Sequence, residues 1–269
     1  MSTLDVVPND PAAITAEIVS AYETATGKTL YPAQVERLLI DLIAYRETLL
    51  RAAINDAARQ NLVRYARAPM LDYLGELVGV RRLPGEDDER LRARILEAPE
   101  SFSVAGPRLA YRHHAMSADA SIVDVAVTSP EPGVVRLYPL ANTGMPSATL
   151  KALVLAKCSA EDVRPLCDTV EVADPVDMPF AVEARLTLLQ AYDAATVQAA
   201  ALAAVQAHCA SIASRLGRDV SRSGLIAAAH VEGVHAVELV APTADMAVPA
   251  HAWAHASSIA VTVTGAIDG

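Results

Sequence analysis

An α+β chain, all-helical at its N-terminus and followed by two small α/β modules with mixed sheets, is predicted by three observations. Apolar residues recur at steps of three and four through roughly the first 118 residues. Beyond them, β-branched runs such as IVDVAV and VVRLYPL alternate with alanine-rich helical stretches. Turn chemistry, Glu131-Pro132-Gly133 and Asp174-Pro175, punctuates those runs. The expected domains are residues 1–118, helical, then 119–176 and 177–269, each α/β.

Asp10-Pro11 opens the first helix, with a side-chain acceptor at the N-cap and proline at the first helical position. Ile14, Ile18 and Tyr22 line one face, Val19 widens it, and Gly27 stops it. Pro32 is expected to open the next helix in the same way. From Val35 to Val80 the chain reads as one long amphipathic helix that breaks at Pro69, then a short second one. Val35, Leu38, Leu42, Tyr45, Leu49 and Ala52 form a helix seam, which Leu39, Leu50, Ala53, Ile54 and Ala57 broaden. Such a stripe must be covered, either by the rest of this chain or by another. Val35, Leu38, Leu42, Tyr45, Leu49, Leu50 and Ile54 are the candidate partner interface. The charges between them, Glu36, Asp41, Arg46, Glu47, Arg51, Asp56, Arg59 and Arg64, are mixed in sign; most read as a solvated or salt-bridged outer face.

Met70, Leu71, Leu74, Leu77 and Val78 share one side of the short helix, which closes at Gly79. Pro84-Gly85 is a turn, and Asp87 or Asp88 caps a helix carrying Leu91, Ile95 and Leu96. Its acidic residues come first and Arg90, Arg92 and Arg94 later, the order a helix dipole favours. Gly106 to Met116 gives one more helix. Ile122–Val127 and VVRLYPL then form a hairpin, Ser147 starts a helix, and Asp168–Val172 is a short strand. In the second module FAVEARLTLLQ alternates as a half-buried strand, and 193–216 is an alanine-rich helix. Ser221 caps the next helix, and VHAVELVAP and IAVTVTG are the last strands.

A formal net charge of −10 excludes a general nucleic-acid binder and docking on anionic lipid. No apolar run is expected to approach a membrane span, and MSTLDVVPNDPAAIT is not a secretory signal. Aromatics at 4% suit close helix packing better than an aromatic-lined pocket. Cys158, Cys167 and Cys209, odd in number and widely spread, read as reduced structural thiols.

Chemistry is sparse. His251 and His255 have the spacing of two ligands on a helix, but no glutamate follows and Pro249 precedes them, so a polar surface loop is expected. His113-His114 and His208-Cys209 are sequence neighbours, which do not face each other on a helix. Phosphate-binding glycine loops and a nucleophile elbow are absent. The acidic run Glu86-Asp87-Asp88-Glu89 reads as a helix N-terminus rather than a cation loop. Arg215, Arg218 and Arg222 form a local basic corner, either solvated or facing an acidic partner. Neither catalytic residue, metal nor cofactor is expected.

The order of motifs adds a resemblance. Tyr45-Arg46-Glu47, Asn55 to Gln60, Leu71 to Glu86 (LDYLGELVGVRRLPGE) and Asp88 to Ile95 (DERLRARI) resemble the baseplate assembly protein J family of contractile phage tails. Tyr111-Arg112, Gly133-Val134-Val135 and Asp162-Val163-Arg164-Pro165 with Asp168 extend the likeness. It implies a wedge subunit in an inner ring around the spike and hub, in a phage or a tailocin, assembled in the bacterial cytoplasm. The implied partners are a second wedge protein (protein I-like) at the N-terminal helices and another copy of the chain at the C-terminal modules. Sheath-initiator and hub or spike proteins follow, and the ring would couple its rearrangement to sheath contraction. Cys167 departs from the small polar residue expected there, and is read as a buried thiol. The competing reading from another class is a small His/Cys-dependent hydrolase or metalloenzyme using the C-terminal histidines and cysteines.

Overall fold

The computed structural model describes residues 5–102 and 106–268. The chain divides into two compact units: Met1–Arg82 with Glu86–Leu96, and Leu83–Gly85 with Glu97–Gly269. The architecture is the expected one, helices first and then two three-stranded mixed sheets with their own helices.

In the first unit, α1 (Pro11–Thr26) starts where Asp10 accepts the Ala12 N–H at 3.0 Å and ends at Gly27, whose φ of 69° lets its N–H return to Glu23 O. The second helix, α2 (Val35–Gln60), is 26 residues long. It begins at Val35, three residues after Pro32, with Gln34 at the N-cap, whose side chain accepts from Tyr31 N. It also stops well short of Pro69, at Asn61. Local side chains end it: Asn61 donates to Ala57 O at 2.9 Å, and Gln60 accepts the Arg67 N–H at 2.9 Å. These groups satisfy the last turn, so the chain leaves the helix axis before the proline is reached.

Pro69 instead leads into α3 (Met70–Glu76). The return from α3 depends on two glycines. A Cβ on Gly75 would sit 2.7 Å from Val80 O, and Gly79 has a φ of 73°. The fourth helix, α4 (Asp88–Glu97), is capped by Asp87, which accepts the Arg90 N–H at 2.8 Å.

The second unit opens with a 3₁₀ turn, Ala98–Phe102, and α5 (Arg108–Met116). Strands β1 (Ile122–Glu131) and β2 (Val134–Ala141) form the expected hairpin. Next, α6 (Ala148–Cys158), capped by Ser147, crosses to β3 (Thr169–Val172), parallel to β2. Tyr111, Ala115 and Met116 of α5 join Ile122, Leu137, Leu150 and Val154 in one core.

The second sheet has the order β5-β4-β6. Its centre is β4 (Val176–Leu189), antiparallel to β5 (Val234–Ala241) and parallel to β6 (Ala252–Ile267). Phe180, Val182, Ala184, Leu186 and Leu188 alternate inward along β4, the period of two expected of a half-buried strand. Its helices are α7 (Ala194–Ala213) and α8 (Arg222–Ala229), the latter capped by Ser221. Two expectations change here. First, α7 has 20 residues without a formal charge and is long and apolar enough to cross a membrane. Its Val197, Ala201, Val205, Cys209 and Ile212 are instead one buried face in the sheet's core. Second, β6 begins at Ala252 rather than Ile259, because Ala252 and Ala254 are core residues paired along β4.

Between the two sheets, Tyr138, Leu140 and Leu216 pack with Trp253, whose indole donates to Ala213 O at 2.9 Å. Asp124 accepts the Leu216 N–H at 2.9 Å and also pairs with Arg112.

Candidate functional site

The candidate interface lies on α2, where the chain itself covers only a narrow band. Ile40, Ala44 and Asn55 are the buried residues of this helix, and α1 packs along it. At about 100° per residue those three fall within roughly 60° of each other. Val35, Leu38, Leu42, Tyr45, Leu49, Leu50 and Ile54 lie on the other side, each between 42 and 69% exposed. Leu39 and Ile43 are exposed with them. Together they occupy about 180° of the helix, wider than the ~100° stripe that one packed neighbour needs. Contiguous apolar surface of this kind marks an interaction site.

The charges on α2 are mostly used internally. Arg37 pairs with Asp41 at 3.0 Å, Arg51 with Glu47, and Arg59 with Asp56 at 2.9 Å and Asp5 at 2.5 Å. A groove of about 640 Å³, lined by Val7, Ile43, Arg46, Glu47, Leu50, Arg51 and Ile54, runs beside them.

One edge of that groove is the chain's own N-terminal arm, and Asn55 holds it. Its Oδ1 accepts the Val6 and Val7 N–H groups, both at 2.9 Å, and its Nδ2 donates to Val7 O at 2.8 Å. Arg51 adds a hydrogen bond to Pro8 O at 3.0 Å. Asn55 is 3% exposed, so its amide must be satisfied inside the protein, and the arm does this. Asn55→Ala is expected to release the arm, at a cost of about 1–3 kcal/mol for main-chain groups left without partners. Faster hydrogen exchange at Val6 and Val7, with α3 and α4 unchanged, is the measurement that checks it.

Among the charged residues that carry the family resemblance, Arg46 and Glu47 line this groove, whereas those around α3 and α4 are used within the fold. They staple α3, the following loop and α4 together. Arg82 is bidentate to Asp72 at 2.7 and 3.0 Å, and reaches Asp88 at 2.7 Å and Glu86 O at 2.9 Å. Arg82 holds both carboxyls below the usual carboxylate range, while its own guanidinium is pushed up. Glu86 is fully buried and paired with Arg94 at 2.7 Å and Arg90 at 3.3 Å. Arg94 also donates to Arg81 O, and Arg92 to Ala66 O and Val63 O. The acidic run therefore begins a helix, as expected, and also supplies a buried anion. Glutamate followed by arginines at i+4 and i+8 was the available signal.

The histidines and cysteines are placed apart. Among the described residues no group of three or more His, Cys, Asp or Glu is arranged to hold a metal. His255 is not in a loop: it lies in β6, 3.1 Å from Asp177, with its ring edge-on to Trp253. His251 stacks on Tyr138 with ring centroids 4.9 Å apart. Cys209 is buried in α7, and burial pushes its thiol up. Burial likewise pushes the Cys158 thiol up to about 12, which leaves it protonated at neutral pH. Cys167 is exposed rather than buried, on a loop tip where Leu166 is 98% exposed. The turn below is held by Arg164, donating to Asp168 O at 2.8 Å, and by Tyr111, donating to Asp168 at 2.9 Å, so it does not need a buried residue at 167.

The matches to known proteins run in chain order. Residues 35–85 match the Baseplate J-like N-terminal domain, 103–174 the Baseplate J-like central domain, and 180–262 the Baseplate J-like protein C-terminal domain. Over 225 residues the chain is 37% identical to baseplate protein J of Escherichia phage P2, spanning 77% of this chain and 74% of that protein. All three domains in sequence, and a relative of that identity along most of both chains, mean that this chain belongs to the baseplate J-like family.

Proposed function

We propose that this chain is a structural, non-enzymatic subunit of a phage-type tail baseplate, and that the exposed face of α2 is its main assembly surface. The observation that carries this reading is that face, about 180° of largely apolar helix on a chain whose charged motif residues around α3 and α4 are spent on its own fold. In this reading the N-terminal helices pack with helices of a second, protein I-like wedge protein. The C-terminal modules pair with another copy around an inner ring, next to sheath-initiator and hub or spike proteins. Rearrangement of that ring is coupled to sheath contraction, in the virion of a contractile phage or in a headless tailocin, after assembly in the bacterial cytoplasm. The three domains 1–118, 119–176 and 177–269 divide these tasks. Nucleic acid and anionic membrane are poor partners for a net charge of −10.

Co-expression with the neighbouring tail genes tests the reading. Leu42→Asp and Leu49→Asp are each expected to lower co-purification of the wedge partner at least about tenfold. A buried carboxylate without a counter-charge is costly at an interface core. Both side chains are exposed in the isolated chain, so its own fold is expected to be unchanged by circular dichroism. Wild-type co-assembly by both variants would overturn the assignment of this face.

A further inference from the structure

A cavity of about 210 Å³ opens in the second unit, between the first turn of α5 and the turn end of the β1–β2 hairpin. Its lining grades from buried to open. Tyr111 is 2% exposed, Val127, Val135 and Asp168 are half-buried, and Arg108 and Ser129 are exposed, which makes them the mouth. Two opposite charges share this space without meeting. Among the described residues, Asp168 forms no ion pair, and Arg108 forms neither an ion pair nor a side-chain hydrogen bond.

The Asp168 carboxylate is nonetheless fixed in place. Tyr111 donates to its Oδ2 at 2.9 Å. Burial, and then that bond, push the phenol up, so it remains a neutral donor. Gly106, at a φ of 73°, closes one side, where a Cβ would lie 2.9 Å from Pro165 Cγ and 3.0 Å from Asp168 Oδ2. Arg164 turns its guanidinium to the main chain, donating to Asp168 O at 2.8 Å. The second carboxylate oxygen, Oδ1, has only the Cys167 thiol, a weak donor, at 3.7 Å. Asp168 is therefore an oriented, half-closed anion held by neutral donors, with one oxygen open to a cation.

Size and lining narrow the choice of cation. The cavity is smaller than the roughly 300–1,000 Å³ of small-molecule and cofactor sites. Val127 and Val135 offer it apolar wall, the surface on which a lysine or arginine stem lies while its head finds a polar partner. We propose that this cavity is a socket for a single basic side chain of a partner chain, its cationic head on Asp168 and its stem on Val127 and Val135. Arg108 at the mouth repels a second cation and attracts an acid. The segment that fits is thus a basic residue beside an acidic one, not a polybasic run. This socket lies in a different unit from α2 and does not rest on the reading of that helix.

Amide chemical shifts of the full chain test it, titrated with N-acetyl-arginine methylamide and with the neutral isostere N-acetyl-citrulline methylamide. The arginine probe is expected to shift Gly106, Thr128 and Ser129 saturably, with a dissociation constant of about a millimolar or weaker. Citrulline should bind at least about tenfold more weakly, for want of a charge-assisted bond. D168N is expected to lose the preference for arginine and keep its fold, because the asparagine oxygen still accepts from Tyr111. R108A should tighten arginine binding and abolish the advantage that an N-acetyl-Arg-Asp amide holds in the wild type. Should D168N disturb the α5 amides, R108A decides alone, since its site is exposed. Absence of a saturable shift, equal binding of both probes, undiminished arginine binding by a folded D168N, or an R108A indistinguishable from wild type each overturns the proposal.

Discussion

Arg94→Ala should cost the N-terminal unit about 3–5 kcal/mol, among the largest effects of any single polar substitution in the chain. Glu86 and Arg94 are almost wholly removed from water, with side-chain exposures of 0 and 5%, and their closest approach is 2.7 Å. Deleting the guanidinium takes away the closer of Glu86's two arginine partners, leaving Arg90 at 3.3 Å, and frees Arg81 O as well. Hydrogen exchange of the α3 and α4 amides measures the loss. The double replacement Glu86→Gln/Arg94→Met should recover part of it, because the buried carboxylate and its main counter-charge are removed together and Arg90 keeps a neutral acceptor at 86. A variant Arg94→Ala with wild-type exchange in α4 would mean that the pair is more hydrated than its burial indicates.

Leu186→Ala should destabilise the C-terminal unit by about 2–5 kcal/mol. Leu186 is fully buried in the central strand of the β5-β4-β6 sheet, with Val205 and Cys209 of α7 in the same core. Neighbours hydrogen-bonded on both sides hold β4 in place, so the cavity cannot easily collapse. Fluorescence of Trp253, the chain's single tryptophan and a residue of β6, reports urea unfolding of this unit. The α3 and α4 amides of the other unit should exchange as in the wild type, and a change there would show that the two units do not unfold independently.

How well the sequence reports a feature depends on how local its cause is. The caps at Asp10, Ser147 and Ser221, and the hairpin around Gly133, are set by residues within a few positions, and they stand where the sequence places them. The same holds for the alternation along β4 and for the exposed apolar stripe of α2. Features set by distant partners were harder to see. One local cause is hidden too: Pro69 is the strongest breaker in the sequence, yet Asn61 and Gln60 end α2 sooner, through bonds to residues at most seven positions away. His255 reads as a loop residue from its neighbours in sequence, and the pairing of Ala252 and Ala254 along β4 places it in a strand. Cys167 reads as a buried thiol in place of a small polar residue, but its exposure follows from how Arg164 and Asp168 fold the turn beneath it. Asn55 and Glu86 are buried polar groups, and a pattern of apolar periodicity is blind to both. In the sequence they are an asparagine inside a helix and one acid in a run of four.

The way Asn55 holds the N-terminal arm bears on which substitutions this region tolerates. Every atom it grips belongs to the main chain of Val6 and Val7. The clamp therefore holds main-chain atoms and takes no hold of the side chains strung along them. This clamp leaves the side chains at Val6 and Val7 free to vary, apart from proline, which would delete a donor, while Asp5 is still held by Arg59. Asn55 itself has no such latitude, because its amide must offer two acceptor contacts and a donor at one point on the helix. Selection would then leave a variable tail beside an invariant asparagine, two residues at opposite extremes of mutational tolerance in direct contact.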